Sequence, residues 1–587
     1  MKQQEHGHMP VANEDIARIF DEMADLLALQ NENPFRIRAY QRAAQSIRGQ
    51  QRELSGRVRE SSDPAADLDA VPGIGRDLAA KIIEIVNTGR CKALEQLRSE
   101  VPRGLLELLR IPGLGPKRVQ TLHAKLRIRS RKDLERAVAS QAIAKVAGFG
   151  PKFTARLARE LRLSSPQESR VLRPVAMQSA NPLVAHLRAV PGVEQVIIAG
   201  SFRRGRETVG DLDLLISATD AAAVTKALHD YDQIGAWSAE GPRRVTVKLH
   251  NGLQVDLRIS EPARFGAALH YFTGSKAHNI HVRRMAQARG LKINEYGVFR
   301  GNRLVAGETE ESVFDAVGLP WIPAEMREDQ GEIELARSGR LPALVTRKEL
   351  RGDLHAHTSA SDGRDTLEAM AAAAQAEGLE YLAITDHSKY LGLVKGLDER
   401  RLRRQMEAID RVNEKARGIR LLKGIEVDIL EDGRLALPDS VLAELDVVVA
   451  SIHSHFDLGK QKQTARVLRA LEHRSLTVLG HPSARLIGER RPIALDMERI
   501  CAAAKSRPCY LELNCQPQRL DLDDVHCRLS REHGVLVSIA SDAHGSEQFA
   551  FLDHGVVQAR RGWLRAEDVL NTRGIKEIGR LLRATKL

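Results

Sequence analysis

Apolar positions follow helical spacing through the first 160 residues, interrupted by three short glycine turns. Near the middle the period falls to two. Leu212, Leu214 and Ile216 alternate with Asp211, Asp213 and Ser217, which predicts a strand with both aspartates on one face. The runs Val245 to His250 and Leu253 to Ile259 flank Asn251-Gly252, a two-residue hairpin signal, and that hairpin would bring Asp256 beside the pair. Beyond residue 350 short strand-like segments recur, such as Tyr381-Leu-Ala-Ile-Thr385 and Val535-Leu-Val-Ser-Ile-Ala540, each followed by acidic or histidine residues. Side chains at the ends of several strands converge on one mouth, as at the C-terminal face of an α/β barrel. Between Ala324 and Gly339 there is little apolar periodicity, and a Glu- and Arg-rich linker or short solvated helix is expected.

The glycine turns are self-similar: Val71-Pro-Gly-Ile-Gly75, Ile111-Pro-Gly-Leu-Gly-Pro-Lys117 and Ala147-Gly-Phe-Gly-Pro-Lys152. Glycine lets the backbone approach a ligand closely, and the N–H groups that open the next helix make a seat for a phosphate oxygen. Gly73, Gly75, Gly113, Gly115, Lys117, Gly148, Gly150 and Lys152 are therefore candidate contacts to a DNA backbone, in helix-hairpin-helix fashion. Such contacts are sequence-independent and salt-sensitive.

At 587 residues the chain should hold several folded units. With 43% hydrophobic and 28% charged residues its composition is globular. The net charge is +12, of which residues 1–330 carry +10 and residues 331–587 carry +2, so the first part is the one suited to a polyanion. Five cysteines without a C-x-x-C pair fit a reducing compartment, and neither a signal peptide nor a membrane span is expected. A cytoplasmic monomer is the expectation.

Two clusters carry candidate chemistry. Asp211, Asp213 and Asp256 would repel one another unless cations sat between them, and two Mg²⁺ ions are natural occupants. Gly200, Ser201, Arg204 and Gly210 lie just before or at the edge of this pair, where they offer close backbone approach, a hydroxyl and a cation for triphosphate. The last 240 residues carry His355, His357, Asp362, Asp386-His387, Glu426, His453, His481, Asp542 and His544 in short cassettes. Imidazole and carboxylate suit Zn²⁺ or Mn²⁺, and the surplus over four ligands implies more than one ion.

The cassette order resembles the polymerase and histidinol phosphatase (PHP) family over residues 350 to about 575, which implies a trinuclear phosphoesterase site. Within it, the resemblance groups His355, His357, Glu426 and Asp542 around one metal, with Asp362, His387, His453, His481 and His544 completing the others. Asn33-Pro-Phe-Arg-Ile-Arg-Ala-Tyr-Gln-Arg-Ala-Ala44 resembles the DNA polymerase beta helix that contacts a 5′-phosphate, with Arg36 and Tyr40 at the contacting positions. Lys81 falls where that family has its Schiff-base lysine, but Asp77 replaces a lysine and would raise its pKa. Tyr271-Phe-Thr-Gly-Ser275 resembles the family X polymerase signature. It implies that Tyr271, Phe272 and Gly274 meet the incoming sugar, with Asn279 and Arg283 at the nascent base pair and template; Ile280 departs from a lysine of polymerase beta.

The whole chain resembles bacterial family X DNA polymerases with a carboxy-terminal PHP domain. That implies helix-hairpin-helix domains, an α/β nucleotidyltransferase palm with a thumb, and a distorted α/β barrel. The expected divisions are 1–92 (5′-phosphate and lyase-like), 93–172 (fingers), 173–262 (palm), 263–322 (thumb), 323–349 (linker) and 350–587 (barrel). The implied activity is gap filling in base excision repair, on 5′-phosphorylated gapped or primer–template DNA with dNTPs, joined to a 3′-5′ exonuclease and a 5′-deoxyribose-phosphate lyase. A barrel acting as a 3′-phosphatase or small-phosphoester phosphatase, and a DNA-binding scaffold with inactive sites, remain open alternatives.

Overall fold

The computed structural model of the chain describes residues 13–586 except 31, 49–53, 72, 89, 102, 110, 112–113, 147, 151–152, 155–156, 158–169 and 391–393. Gly113 and Lys152 thus lie outside the described residues. The chain divides into two compact units, Met1–Ser169 and Arg170–Leu587.

The first unit is helical. Helices Asn13–Leu29, Pro34–Arg48, Arg76–Thr88 and Pro116–Leu126 share one apolar core that includes Phe20, Tyr40, Ile82, Val119 and Leu122. That core runs through residues of both the first and second expected divisions. The three glycine turns close with the same backbone bond: Ile74 N–H to Val71 at 3.0 Å, Leu114 N–H to Ile111 at 2.9 Å and Phe149 N–H to Val146 at 3.0 Å. Gly73 and Gly148 hold φ near +87° and +88°, a conformation open to glycine at no steric cost. A β-carbon on Gly75, Gly115 or Gly150 would meet nothing within 4 Å, so the backbone that leads into helices Arg76–Thr88 and Pro116–Leu126 is open to a ligand.

The second unit begins with a five-stranded sheet in the order Val193–Ile198, Asp211–Ala218, Gln254–Ser260, Arg244–Leu249, Ile234–Gly241. The hairpin turns at Asn251-Gly252, where Gly252 has φ +85°. Gln254–Ser260 runs parallel to Asp211–Ala218 with Asp213 opposite Asp256. The period-two alternation holds only for the first half of the Asp211 strand. Leu215 is buried as well, because helix Phe265–Thr273 covers the second face with Phe265, Ala268 and Leu269, and Ser217 is buried with its hydroxyl donating to Glu194 Oε2 at 3.0 Å. Helices Phe265–Thr273 and Lys276–Gln287 then lead to a small antiparallel sheet of Lys292–Asn294, Gly297–Arg300 and Arg303–Ala306.

Residues 323–349 differ from the solvated connection expected of them. Helix Glu332–Arg337 puts Ile333 and Ala336 into the same core as Val282, Phe314 and Trp563, and Met326 joins it. Arg327 is fully buried and Glu310 nearly so, and they bond directly, Arg327 Nη1 to Glu310 Oε1 at 2.6 Å. The charged composition hides a packed segment because the two charges it buries, Arg327 and Glu332, are partnered by Glu310 and His278.

Seven parallel strands in sequence order form the last region, from Gly352–Asp353 through Tyr381–Ile384, Arg420–Asp428, Val447–Ser451, Val478–Leu479 and Tyr510–Asn514 to Val537–Ala540. The first and last edges approach through the bond from His357 N–H to Ala543 at 2.8 Å, so the sheet is a nearly closed barrel. Cys91, Cys501, Cys509, Cys515 and Cys527 are buried thiols. Among the described residues no helix is long and apolar enough to cross a membrane.

Candidate active sites

The palm strands place Asp213 and Asp256 side by side, with Asp211 two residues along on the same face. Asp256 is held by two donors, Thr246 Oγ1 to Oδ1 at 2.6 Å and Gln254 Nε2 to Oδ2 at 2.7 Å. Burial pushes the Asp213 carboxyl up to about 7, and the Asp211 and Asp256 carboxylates push the same way. Asp211 is raised too, by burial and then by Asp256. Three carboxylates crowded in a partly buried site make a donor set that fits divalent cations.

Gly200 opens the short helix Gly200–Arg203 at φ +58°. A β-carbon there would stand 2.0 Å from Asp213 Oδ2. Ser201 and Arg204 lie on this turn, and Gly210 precedes the strand beneath the Arg170 side chain. The Arg204 guanidinium is already engaged: Nη1 donates to the Thr273 carbonyl at 2.6 Å and Nε to Glu328 Oε1 at 3.1 Å. On the other side Asn279 Nδ2 donates to the Tyr271 carbonyl at 2.7 Å, while Asn279 Oδ1 is buried without a partner. The Arg283 guanidinium lies 5.7 Å from the Tyr271 ring centroid, and Arg258 lies 5.1 Å from that of Phe272. Gly274 has φ +68° and sits beside Arg204. Ile280 is partly exposed on the same helix as Asn279 and Arg283.

At the barrel mouth the cassettes do converge, in three overlapping groups: His355, His357 and Asp542; His357, Asp362, His387 and His544; and His387, Glu426 and His453. His481 joins through Nε2, 3.0 Å from Glu426 Oε1. Glu426 stands between two of these groups: it lies with His387 and His453, and its Oε2 is 3.5 Å from His355 Nε2 and 3.7 Å from His357 Nε2, to which Asp542 Oδ1 is also close at 3.6 and 3.0 Å. His481 and Asp542 hold φ of 24° and 53°, uncommon for non-glycine residues and a sign of backbone strain at a functional site.

Metal ions fit this arrangement. His355 Nε2, His357 Nε2 and His481 Nδ1 are buried without a hydrogen-bond partner. Burial opposes charge on His387, yet Glu426 and Asp362 hold it up at about 11. Burial, with the imidazoles of His544 and His387, pushes His357 down to about 4. The carboxylates draw positive charge into the mouth, and protons alone cannot satisfy every imidazole.

A supporting layer was not visible as motif. Glu512, on a barrel strand, accepts from His355 Nδ1 at 2.6 Å and from the His481 N–H at 2.5 Å, leaving His355 Nε2 to face the centre. Asp428 takes His453 Nδ1 at 2.9 Å. Asp386 stands outside the three groups and accepts from Thr358 N–H at 2.8 Å and Thr358 Oγ1 at 2.7 Å. The available signal is Glu512 and Asn514 interrupting an otherwise apolar strand, and Asp428 two residues after Glu426 on the same face.

In the helical unit, Arg36, Tyr40, Gly73, Gly75 and Asp77 line a cavity of about 570 Å³. Tyr40 packs its ring edge-on against Phe20, and its hydroxyl has no hydrogen-bond partner. Arg36 is exposed, 3.5 Å from Glu32. Lys81 Nζ donates to Asp77 Oδ1 at 2.6 Å; burial pulls the amine's pKa down, but Asp77 and Tyr40 outweigh it and the net direction is up. Lys117 is exposed on the helix that Gly115 caps.

Family descriptions match along the chain in the order of these sites: a helix-hairpin-helix domain over residues 11–91, a SAM-like helix-hairpin-helix tandem over 105–163, the DNA polymerase beta palm over 173–236, the DNA polymerase beta thumb over 268–328 and the PHP domain over 353–516. The chain belongs to the bacterial family X DNA polymerases with a carboxy-terminal PHP domain. The DNA polymerase/3′-5′ exonuclease PolX of Bacillus subtilis (strain 168) is 36% identical over 573 residues, 97% of this chain and 99% of that protein. DNA polymerase lambda of Rattus norvegicus is 28% identical over 290 residues, 44% of this chain and 48% of that protein. A probable phosphatase of Thermoanaerobacter pseudethanolicus is 28% identical over 241 residues, 38% of this chain and 89% of that protein.

Proposed function

We propose that the chain fills short gaps in DNA from a template and dNTPs, as base excision repair requires, and that its barrel trims primer 3′ ends as a metal-dependent 3′-5′ exonuclease. The observation that carries the reading is the pairing of Asp213 with Asp256 across parallel strands, in a chain matching a DNA polymerase/3′-5′ exonuclease over nearly its whole length. Asp211, Asp213 and Asp256 would hold two Mg²⁺ ions, which supply charge neutralisation for the triphosphate and acidify the primer 3′-hydroxyl. Gly200 and Gly210 let backbone approach the nucleotide, and Ser201 and Arg204 offer a hydroxyl and a guanidinium to its phosphates. Tyr271, Phe272 and Gly274 meet the sugar, where an aromatic edge and a backbone carbonyl exclude a 2′-hydroxyl. Asn279 and Arg283 reach the nascent base pair and the template strand.

His355, His357, Asp362, His387, Glu426, His453, His481, Asp542 and His544 would hold up to three Mn²⁺ or Zn²⁺ ions, which supply Lewis acidity toward a phosphoester. Glu512 orients His355 and His481, and Asp428 orients His453. In the helical unit, Arg36, Tyr40 and the glycine turns at Gly73 and Gly75, Gly113 to Lys117 and Gly148 to Lys152 grip backbone phosphate, including the gap's 5′-phosphate. Lyase chemistry at Lys81 is curbed by Asp77, since a protonated amine is no nucleophile.

A second reading, in which the barrel acts as a 3′-phosphatase or on small phosphoesters, is favoured by the likeness of the barrel alone to probable phosphatases. One gel separates the two. A gapped, 5′-phosphorylated primer–template is incubated with Mg²⁺ or Mn²⁺, with and without dNTPs: extension and stepwise shortening support the exonuclease reading. Release of phosphate without shortening from a companion primer that ends in a 3′-phosphate supports the phosphatase, and no product of any kind would favour a binding scaffold.

A further inference from the structure

The turn that carries Ser201 and Arg204 is seated on the barrel. Gly205, at φ +70°, packs so closely on helix Leu552–Arg561 that a β-carbon would stand 2.4 Å from Val557 Cγ1. Two residues on, Glu207 Oε1 accepts from Arg485 Nη2 at 2.5 Å and from Gln558 Nε2 at 2.9 Å, both barrel residues. Arg561, whose side chain is 2% exposed, donates through Nη1 to the Arg204 carbonyl at 2.7 Å and to Glu328 Oε1 at 3.1 Å. Its Nη2 is fixed by Asp524 Oδ2 at 2.5 Å.

Glu328 Oε1 is thus shared by two guanidiniums, Arg561 from the barrel and Arg204 from the nucleotide turn. Arg204 can meet a triphosphate through the donors it does not spend on Glu328 and Thr273, and an anion there draws its charge away from Glu328. A largely buried carboxylate stripped of its cation is costly, so the ease of that step depends on what else neutralises Glu328. Arg206 stands 4.0 Å away, half exposed; Arg561 is closer, buried and immobilised. The same Arg561 fixes the Arg204 carbonyl, and with it the position of the turn.

We propose that Arg561 is a positioning residue for nucleotide addition: the PHP barrel completes the dNTP pocket by balancing the charge of the Glu328 carboxylate and holding the Arg204 turn in place. The inference rests on the reading of Arg204 as a triphosphate contact. It makes the barrel a working part of the polymerase site, separate from the barrel's own hydrolytic centre.

The test is steady-state single-nucleotide insertion by the full chain carrying Arg561→Gln, Arg561→Lys or Arg204→Gln, with 3′ shortening and thermal melting measured on the same preparations. Arg561→Gln should raise the KM for dNTP about tenfold with kcat little changed, the size of effect expected from losing one charge-assisted contact. Shortening should be retained, and Arg561→Lys, which keeps the charge but not the fork, should fall in between. If Arg204→Gln raises KM while Arg561→Gln does not, the inference is overturned and the reading of Arg204 stands. If Arg204→Gln leaves KM unchanged, that reading fails and the inference with it. Parallel loss of extension, shortening and melting temperature in both Arg561 variants would also overturn it, by reducing Arg561 to a structural support.

Discussion

Gly200 backs directly onto Asp213: a β-carbon at position 200 would stand 2.0 Å from Asp213 Oδ2, at a φ of +58° that side chains other than glycine's avoid. Gly200→Ala must therefore displace the carboxylate or the turn. A misplacement of about 1 Å at a reacting centre costs on the order of a hundredfold in rate, so extension should fall by about that factor while 3′ shortening persists. Wild-type insertion kinetics in Gly200→Ala would show that Asp213 need not sit where the sheet places it.

This contact could not be read from the sequence, although its parts could. The Asp211 and Asp213 face follows from period-two alternation, and the Asn251-Gly252 turn delivers Asp256 because loop length fixes hairpin register. Leu215 breaks the alternation because a helix from farther along the chain covers the second face, a tertiary fact that local pattern does not carry. The barrel cassettes were legible as candidate ligands, but chain order does not show that His357 and His387 each stand in two groups. Glu512 went unnoticed because it belongs to no cassette. The packing of residues 323–349 is not legible in composition, which reports charge as exposure, because Arg327 and Glu332 are buried against Glu310 and His278 from outside the segment.

Glu512 fixes His355 in the tautomer that leaves Nε2 facing the centre. Replacing it with Gln keeps the shape and removes the charge. Loss of such a supporting carboxylate typically weakens metal affinity about 10–100-fold, so Glu512→Gln should need correspondingly more Mn²⁺ for half-maximal shortening and should retain less metal after dialysis, with extension unaffected. An unchanged metal titration would remove Glu512 from the site.

Arg327 and Glu310 tie residues 323–349 to the thumb, and Arg203 Nη2 adds a third contact at 2.7 Å. Leaving Arg327 buried without its carboxylate should make Glu310→Ala less stable by about 3–5 kcal/mol in chemical denaturation, more than a typical surface change. Burial opposes the charge on Glu310, but Arg327 and Arg203 hold its carboxyl well below its ordinary value of 4.5. A depressed carboxylate contributes stability that is fully present above that ordinary value and is lost as pH falls below it. The wild-type chain should therefore lose this contribution on acidification below about pH 4.5, and Glu310→Gln should show a shallower acid limb. Equal acid limbs would mean that the pair does not control it.

The bond between Lys81 and Asp77 makes a directional forecast for the lyase reaction. With Asp77 in place the amine stays protonated, so borohydride trapping of an abasic 5′-sugar phosphate should be slow near neutral pH and rise at alkaline pH. Asp77→Ala should speed trapping, and Lys81→Ala should abolish it. Trapping that survives Lys81→Ala would assign the adduct to another amine; equal trapping with and without Asp77 would show that the carboxylate does not govern the pocket.

The two chemistries should also be separable by mutation, because the palm carboxylates and the barrel ligands stand on different sheets with no shared side chain. Asp256→Ala removes a carboxylate held by Thr246 and Gln254 and leaves the barrel mouth untouched, so extension should vanish while 3′ shortening continues. His355→Ala with His357→Ala removes two imidazoles from the barrel and should do the reverse. A modest cross-effect is compatible with this, since the barrel seats the Arg204 turn through Arg561 and Glu207. Abolition of shortening by Asp256→Ala, with DNA binding and melting temperature intact, would mean that hydrolysis uses the palm's cations, and the barrel would lose its role as an independent nuclease.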